Sequence, residues 1–453
     1  MASIASSSSS SSSGESKDDA PLLAAGTYAP APATARGAPS HLAVSPDGTL
    51  LCYAQGKNVV VRSVSSEQDP AAAFVFQGHK ATTTVARFSP DGKWVASGDD
   101  TGWVRVWAWA GDGGKHAVKK EIKCMGKSVT DLAWGPDSKR LGVVGDGGKR
   151  ARCVLAFSGS DQSPDMTGHI KKCLTLAYRQ TKPAKIVTGG EDFQTIIHKG
   201  PPFRRVKSNK TAHRGAYINC LRFSPDGTKY CSVASDKKIV VYDAEDSSVL
   251  HTFTGHAGGV YGCDWTADGA SIFTCSADKT CKLWSVADGA CTTTFTISSA
   301  PAVGDMQVAC AVAPTTGALY SLSLSGDINV LDAASPGAPV RVISGHNEQL
   351  KCMAYDAASE TIVSADASGA VRCWAKNGEA TPTTGAVHTK LATAVAVGGG
   401  RFYSAGWDNA IRSGTTETGA YDAVVSCGGQ PKVNGLRCST GDAGLAVVVS
   451  TDG

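Results

Sequence analysis

Gly255-His256-Ala257-Gly258-Gly259-Val260-Tyr261-Gly262-Cys263-Asp264-Trp265-Thr266-Ala267-Asp268-Gly269-Ala270-Ser271-Ile272-Phe273-Thr274-Cys275-Ser276-Ala277-Asp278-Lys279-Thr280-Cys281-Lys282-Leu283-Trp284 reads as a single unit. A Gly-His pair opens it, a turn at Thr266–Gly269 divides two apolar strands, and a third strand closes on Trp284. The pair returns as Gly78-His79, Gly168-His169 and Gly345-His346, with Ala212-His213 and Val387-His388 as weaker copies. His79 and His169 are 90 residues apart, as are His256 and His346, so a degenerate repeat hides in each gap. The turn returns in phase as Ser45-Pro46-Asp47-Gly48, Ser89-Pro90-Asp91-Gly92, Gly135-Pro136-Asp137-Ser138 and Ser224-Pro225-Asp226-Gly227. Pro presets φ, Asp bonds back to the local backbone and Gly accepts positive φ, so each marks a hairpin. The closing strand returns as Val104-Arg105-Val106-Trp107, Ile239-Val240-Val241-Tyr242-Asp243 and Val371-Arg372-Cys373-Trp374. Alternating β-branched residues are the strand signature, and no segment holds an apolar period of 3.6. A sheet-forming unit repeated at this spacing predicts an all-β propeller, a scaffold for binding.

A Gly-His opening, a hairpin turn and a Trp or Tyr-Asp close resemble the WD-repeat family. In the unit quoted, the resemblance places His256, a strand hydroxyl (Thr274 or Ser276), Asp278 and Trp284 in a buried hydrogen-bonded chain. Such a chain stabilises only when every member is satisfied. These histidines and aspartates are therefore read as structural. Thr101, Ser325 and Ser368 stand where three other units would carry the turn aspartate, so those units are expected to rely on apolar packing.

Units fall at 41–64, 79–109, 124–158, 169–199, 213–244, 256–287, 303–333, 346–376 and 388–414, with a start at 433–453. Propellers usually close with four to eight blades, so this count overshoots one ring. The expected organisation is a first seven-bladed propeller over 41–340 and a partial second propeller over 341–453. The last units end on a strand and a turn, which reads as a chain cut short, since an open ring leaves strand edges exposed. Residues 1–40 form a Ser/Ala/Pro-rich tail expected to be disordered. An organelle transit peptide is the alternative, disfavoured by the three acids in that tail.

A hydrophobic content of 42% with 51 glycines suits a sheet-rich, turn-rich chain. No apolar run nears the ~18 residues that cross a membrane as a helix. The fifteen cysteines fall mostly singly inside strands, without a Cys-x-x-Cys pair, and read as free thiols of a reduced, cytoplasmic protein.

Text outside the generic repeat is more specific. Val129-Thr130-Asp131-Leu132-Ala133-Trp134 with Val143-Val144-Gly145-Asp146-Gly147, then Lys185–Asp192 followed by Gly200-Pro201-Pro202-Phe203, then Tyr320–Asn329 and Arg341–His346 resemble the actin-interacting protein 1 family of WD-repeat proteins. Members of that family are two seven-bladed propellers in one chain, and the resemblance runs in order from residue 28 to 453. It implies binding to actin filaments decorated with ADF/cofilin, promotion of severing and disassembly, and no chemistry. It also implies association with the actin cytoskeleton and about fourteen repeats.

Charge gives an independent hint. Residues 115–214 carry 21 Lys and Arg against 8 Asp and Glu, a balance of +13, while the rest carries -9 and the whole +4. A face so polarised attracts an acidic partner. Base recognition would want aromatics interleaved with the basic residues, and Phe193 and Phe203 alone near the patch look free of a core role, so nucleic acid is disfavoured. Aromatics beside charges are typical interface anchors. The partner-binding set is accordingly Lys171, Lys172, Asp146, Glu191, Asp192, Phe193, Phe203, Arg204 and Arg205. Ala184 stands where the family tends to have an aromatic, which weakens that edge.

An enzyme reading finds little. Gly145-Asp146-Gly147-Gly148-Lys149 lacks the spacing of a phosphate loop and reads as a turn. Each histidine near a serine belongs to the repeat, and no cluster has zinc-like spacing. The expectation is a non-enzymatic monomer without metal, cofactor, nucleic acid or membrane. A general WD-repeat scaffold or substrate adaptor is the alternative to the actin reading.

Overall fold

The computed structural model describes residues 29–64, 73–110, 115–164, 166–375, 380–385, 387–426, 433–438 and 446–450. Residues 1–28 of the serine-rich tail and the closing turn read at 451–453 lie outside them. The described residues form ten antiparallel sheets taken up in chain order, with a single 3-10 turn at Val303–Asp305. The first strands of sheets 1 to 7 are Leu42–Val44, Thr83–Phe88, Val129–Trp134, Cys173–Tyr178, Ile218–Phe223, Val260–Trp265 and Gln307–Val312. Leu350–Asp356, Ala392–Gly398 and Val433–Cys438 open sheets 8 to 10. Within sheets 1 to 7 and within sheets 8 to 10, consecutive sheets meet through these first strands, which are therefore innermost.

The hairpin turns form as read. Asp268 Oδ1 accepts from Thr266 Oγ1 at 2.6 Å and from the Ala270 amide at 3.0 Å, while Gly269 takes φ +68°. The turns at Asp47, Asp91 and Asp226 repeat this arrangement. In the copy without glycine, Ser138 itself adopts φ +51°.

Successive side chains point to opposite faces, and the middle strands are buried at nearly every position, so both faces of a sheet must be covered by a neighbour. Separate buried clusters join sheet 1 to 2, 2 to 3, 3 to 4, 4 to 5, 5 to 6 and 6 to 7. One more joins sheet 7 back to sheet 1 through Leu51, Tyr53 and Val60 against Val308, Leu322 and Ile328. Sheets 1 to 7 thus share a closed cycle of cores. Sheets 8, 9 and 10 share two clusters in an open row. Residues 29–41 fasten the seam. Ala31 N donates to His346 O at 2.9 Å, Tyr53 Oη to Pro30 O at 2.8 Å, and Ser40 N to Val308 O at 3.0 Å.

The hydrogen-bonded chain expected in sheet 6 is present. His256 Nδ1 lies 2.8 Å from Asp278 Oδ2, His256 Nε2 lies 2.9 Å from Thr274 Oγ1, and Trp284 Nε1 donates to Thr274 Oγ1 at 2.9 Å. Thr274 is thus the hydroxyl of the chain, since Ser276 donates to the Gly258 and Gly259 carbonyls. Burial pushes the Asp278 carboxyl up, but its bonds to His256 and Thr280 outweigh that and hold it well below the usual range. Sheet 5 repeats the chain with His213, Asp236, Ser232 and Tyr242.

The three units expected to go without a chain require correction. In sheet 2 the carboxylate comes from Asp99, two residues before Thr101, and sits 3.1 Å from His79 Nδ1. Its second oxygen takes the Thr101 hydroxyl at 2.6 Å and the Trp103 amide at 3.1 Å, so one carboxylate spans the turn and reaches the histidine. Sheet 8 does the same with Asp366, 2.7 Å from His346 and 2.5 Å from Ser368 Oγ. Sheet 7 replaces the histidine with amides, Gln307 and Asn329 donating to Ser323 Oγ at 2.8 and 2.9 Å.

Two further substitutions preserve the chain. In sheet 4 His198 takes the tryptophan's place, its Nε2 3.2 Å from Thr188 Oγ1. In sheet 9 Gly414 stands there, and Tyr421 from the fourth strand brings its hydroxyl to 3.2 Å from Ser404. A side chain at Gly414 would collide with Phe402 and the Ala420 carbonyl, so the exchange is steric. Eleven of the thirteen cysteines with described side chains are buried in strands or just beside them, as small core residues.

Candidate protein-interaction surface

The loop Gly168–Lys172 precedes the first strand of sheet 4, and the turn Glu191–Phe193 joins its second and third strands. Asp192 locks the two together. Its carboxylate lies 2.9 Å from His169 Nδ1 and accepts the Ile170 amide at 2.9 Å, while the Glu191 amide donates to Lys172 O. Burial pulls the His169 ring down, yet the Cys173 sulfur and the Asp192 carboxylate raise it to about 10. With its backbone pinned, Ile170 projects outward and is 75% exposed.

Phe193 takes φ +65°, as Lys237, Lys279 and Asn409 do after the turn aspartate in sheets 5, 6 and 9, so the turn of the repeat sets its backbone. Its ring stacks on Tyr217, centroids 5.7 Å apart, and Lys171 Nζ lies 5.3 Å from its centre. Tyr217 is itself exposed. Phe193 and Tyr217 form an apolar pair, with the exposed Ile170 and Lys171 and the half-buried Lys172 on the neighbouring loop.

Asp146 stands on the adjoining loop of sheet 3. Burial pushes its carboxyl slightly up, but the Gly147 amide, Lys127 at 3.4 Å and the field of Lys172 hold it below its usual value. Arg204 and Arg205 lie on the exposed outer strand of sheet 4, and Arg205 leans against Gly168. The two arginines therefore form the rim, while Asp146, Lys171, Lys172, Glu191 and Phe193 share the loop face.

Two residues of the expected set are placed elsewhere. Phe203, expected to be free of a core role, is fully buried against Tyr178 with ring centroids 5.6 Å apart, because the Gly200–Pro202 turn sends it back between sheets 3 and 4. The Asp192 side chain is 2% exposed and supports the loop from behind. Sequence reasoning missed Ile170 and Tyr217. A signal existed for the first, since Lys80, Arg214, Ala257, Asn347 and Thr389 follow the other repeat histidines and Ile170 is the large apolar exception. Tyr217 likewise stands where Thr82, Ser128, Lys172 and Gly259 precede other inner strands.

The model of the WD domain, G-beta repeat, matches residues 72–108, 205–243, 247–285 and 337–375. Those stretches end in the third strands of sheets 2, 5, 6 and 8, which carry a histidine chain closed by Trp or Tyr on that strand. Of the six other sheets, 4, 7 and 9 have His198, the amides and Gly414 in place of the standard members. Among curated proteins, actin-interacting protein 1 of Drosophila melanogaster is 32% identical over 409 residues, 89% of this chain and 66% of the relative. WD repeat-containing protein 1 of Xenopus tropicalis is 34% identical over 80% of this chain and 59% of its own length. The 66 kDa stress protein of Physarum polycephalum is 34% identical over 85% and 63%. The chain thus spans about three fifths to two thirds of these relatives. With its repeat text, four-stranded sheets and histidine chains, the protein belongs to the WD-repeat family and is similar to actin-interacting protein 1.

Proposed function

We propose that this chain binds actin filaments carrying ADF/cofilin and promotes their severing and disassembly, acting by binding alone, as a monomer of the cytoplasm and actin cytoskeleton. The observation that carries the reading is the Phe193–Tyr217 stack, half-buried on Phe193 and exposed on Tyr217, with Ile170 and Lys171, at the edge of the segment of +13 charge. An aromatic centre with a basic surround suits a protein partner with an acidic surface. The names of the relatives point to the same partner. Residues 41–340 and 341–453 act in this reading as two propeller units, the second incomplete, with docking assigned to the first. Preference for a bent or severed filament over an intact one would shift the filament toward breakage, since a ligand moves an equilibrium only by its differential affinity.

Co-sedimentation tests the reading. The chain is pelleted with actin alone and with actin plus cofilin, and filament lengths are imaged. Cofilin-dependent pelleting with shortened filaments is expected. Filaments that keep full length with all three proteins present would overturn it and leave the general scaffold reading. Lys171→Glu with Lys172→Glu should lower pelleting and flatten its salt dependence, and unchanged pelleting would remove the basic loop from the docking face.

A further inference from the structure

The ends of the inner strands of sheets 1 to 7 surround a cavity of about 590 Å³ to which every one of these sheets contributes. Ala133 and Ala177 leave space there, while Arg87, Arg222 and Asp264 occupy neighbouring lining positions. Trp134, Phe223 and Trp265 make its wall apolar, and both indoles are held by bonds to the Arg87 and Arg222 carbonyls. The volume lies within the range of small-molecule sites.

The cavity is blind. Arg87 donates to His41 Nδ1, Asp131 and the Leu42 carbonyl, each at 3.1 Å, and His41 reaches the Thr130 carbonyl at 2.7 Å. That layer separates the mouth from a second cavity of about 290 Å³ lined by His41. Arg87 thereby commits three of its donors, with Asp131 as a counter-ion. Arg222 commits one among the described residues, to the Leu221 carbonyl at 2.7 Å, and lies in the field of Asp131 and Asp264. A guanidinium offers five N–H donors, and a carboxylate engages two of them side by side.

We propose that this axial mouth binds an apolar-bodied carboxylate, a small organic acid or the C-terminus of a peptide chain, with Arg222 as its anchor. Asp264 beside it is occupied by the Val312 and Trp265 amides at 2.9 and 3.0 Å. Burial pushes the Asp264 carboxyl up, while Arg222 and the two amides pull it down. The proposal is independent of the filament reading: the mouth opens among the hairpin turns, whereas Phe193 and Lys171 lie at the opposite ends of the inner strands.

Calorimetric titration of the full chain tests it with 3-phenylpropionate, its amide, an acetylated tetrapeptide ending in leucine, and the same peptide amidated. Saturable binding of one acid and not of its amide is expected, and whichever acid binds identifies the source. Arg222→Met should lower the affinity about tenfold or more, and Arg222→Lys, which keeps the charge and loses the paired donors, should also weaken it. Amides binding as well as acids, unchanged affinity in folded Arg222→Lys, or no probe binding below about 1 mM would each overturn the proposal.

Discussion

Sheets 6 and 8 are written in nearly the same text and hold nearly the same hydrogen-bonded chain, yet their inner strands meet different surroundings. Val260, Cys263 and Trp265 of sheet 6 are 0%, 0% and 4% exposed, packed against sheet 5. By strand register the matching residues of sheet 8 are Leu350, Met353 and Tyr355, and they are 55%, 74% and 46% exposed. The repeat text therefore specifies the inside of a sheet, and burial of its faces depends on whichever sheet stands beside it. The histidine chain belongs to the first kind of stability and the inner-strand apolar residues to the second.

Acid should act most broadly, and on both runs alike. The aspartates of the histidine chains in sheets 2, 4, 5, 6, 8 and 9 all have carboxyls held below their ordinary value of 3.8. Each is pushed up by burial and pulled down further by its bonds. A depressed carboxyl contributes stability that is present above 3.8 and is lost as pH falls through the lower folded value. Amide hydrogen exchange should show sheets 5 and 6 and sheets 8 and 9 losing protection together below pH 3.8. Sheets 8 and 9 opening about one pH unit earlier would mean that their chains need the closed cycle after all.

Next in size, Trp284→Ala should cost about 4 kcal/mol in the stability of sheet 6, as large aromatic truncations in a core do. Trp374→Ala should cost about half that, since Trp374 is only partly buried while making the same bond to Ser364. Equal losses in local exchange protection would break the distinction between the two runs. In sheet 2, Asp99→Ala should cost about 2–3 kcal/mol and Thr101→Ala under about 1 kcal/mol, read from chemical denaturation. The reverse order would return the staple to the position where the repeat text puts it. The smallest contrast is Cys263→Ser against Met353→Ser, about 1–2 kcal/mol for a buried hydroxyl and within about 0.5 kcal/mol for an exposed site. A large loss at Met353 would show that it is covered in solution.

How far the sequence reveals this molecule follows from the same division. The hairpin turns and the chain through His256 were legible because each depends on residues within one repeat. Asp99 and Asp366 were misjudged because a carboxylate can cross a tight turn from two positions away, a freedom that alignment to a fixed register hides. Phe203 was misjudged because its burial is decided by sheet 3, not by its own strand. At the candidate surface, Lys171 and Phe193 were found from charge and composition, whereas Tyr217 comes from the next repeat and joins them only through packing. Arg222 broke the apolar pattern of its strand, but nothing local distinguishes it from Arg87, which spends three donors on its neighbours.

The core shared by sheets 1 and 7 has a consequence for the timing of synthesis. Leu51 and Tyr53 emerge early, while Val308 and Ile328, which cover them, come more than 250 residues later. At ribosomal rates of about 5–20 residues per second, the first sheet waits on the order of tens of seconds with one apolar face open. Contacts so distant in sequence also form slowly once available. The seam between sheets 1 and 7 is therefore where a chaperone would engage the nascent chain, and where a slowed ribosome would do the most harm.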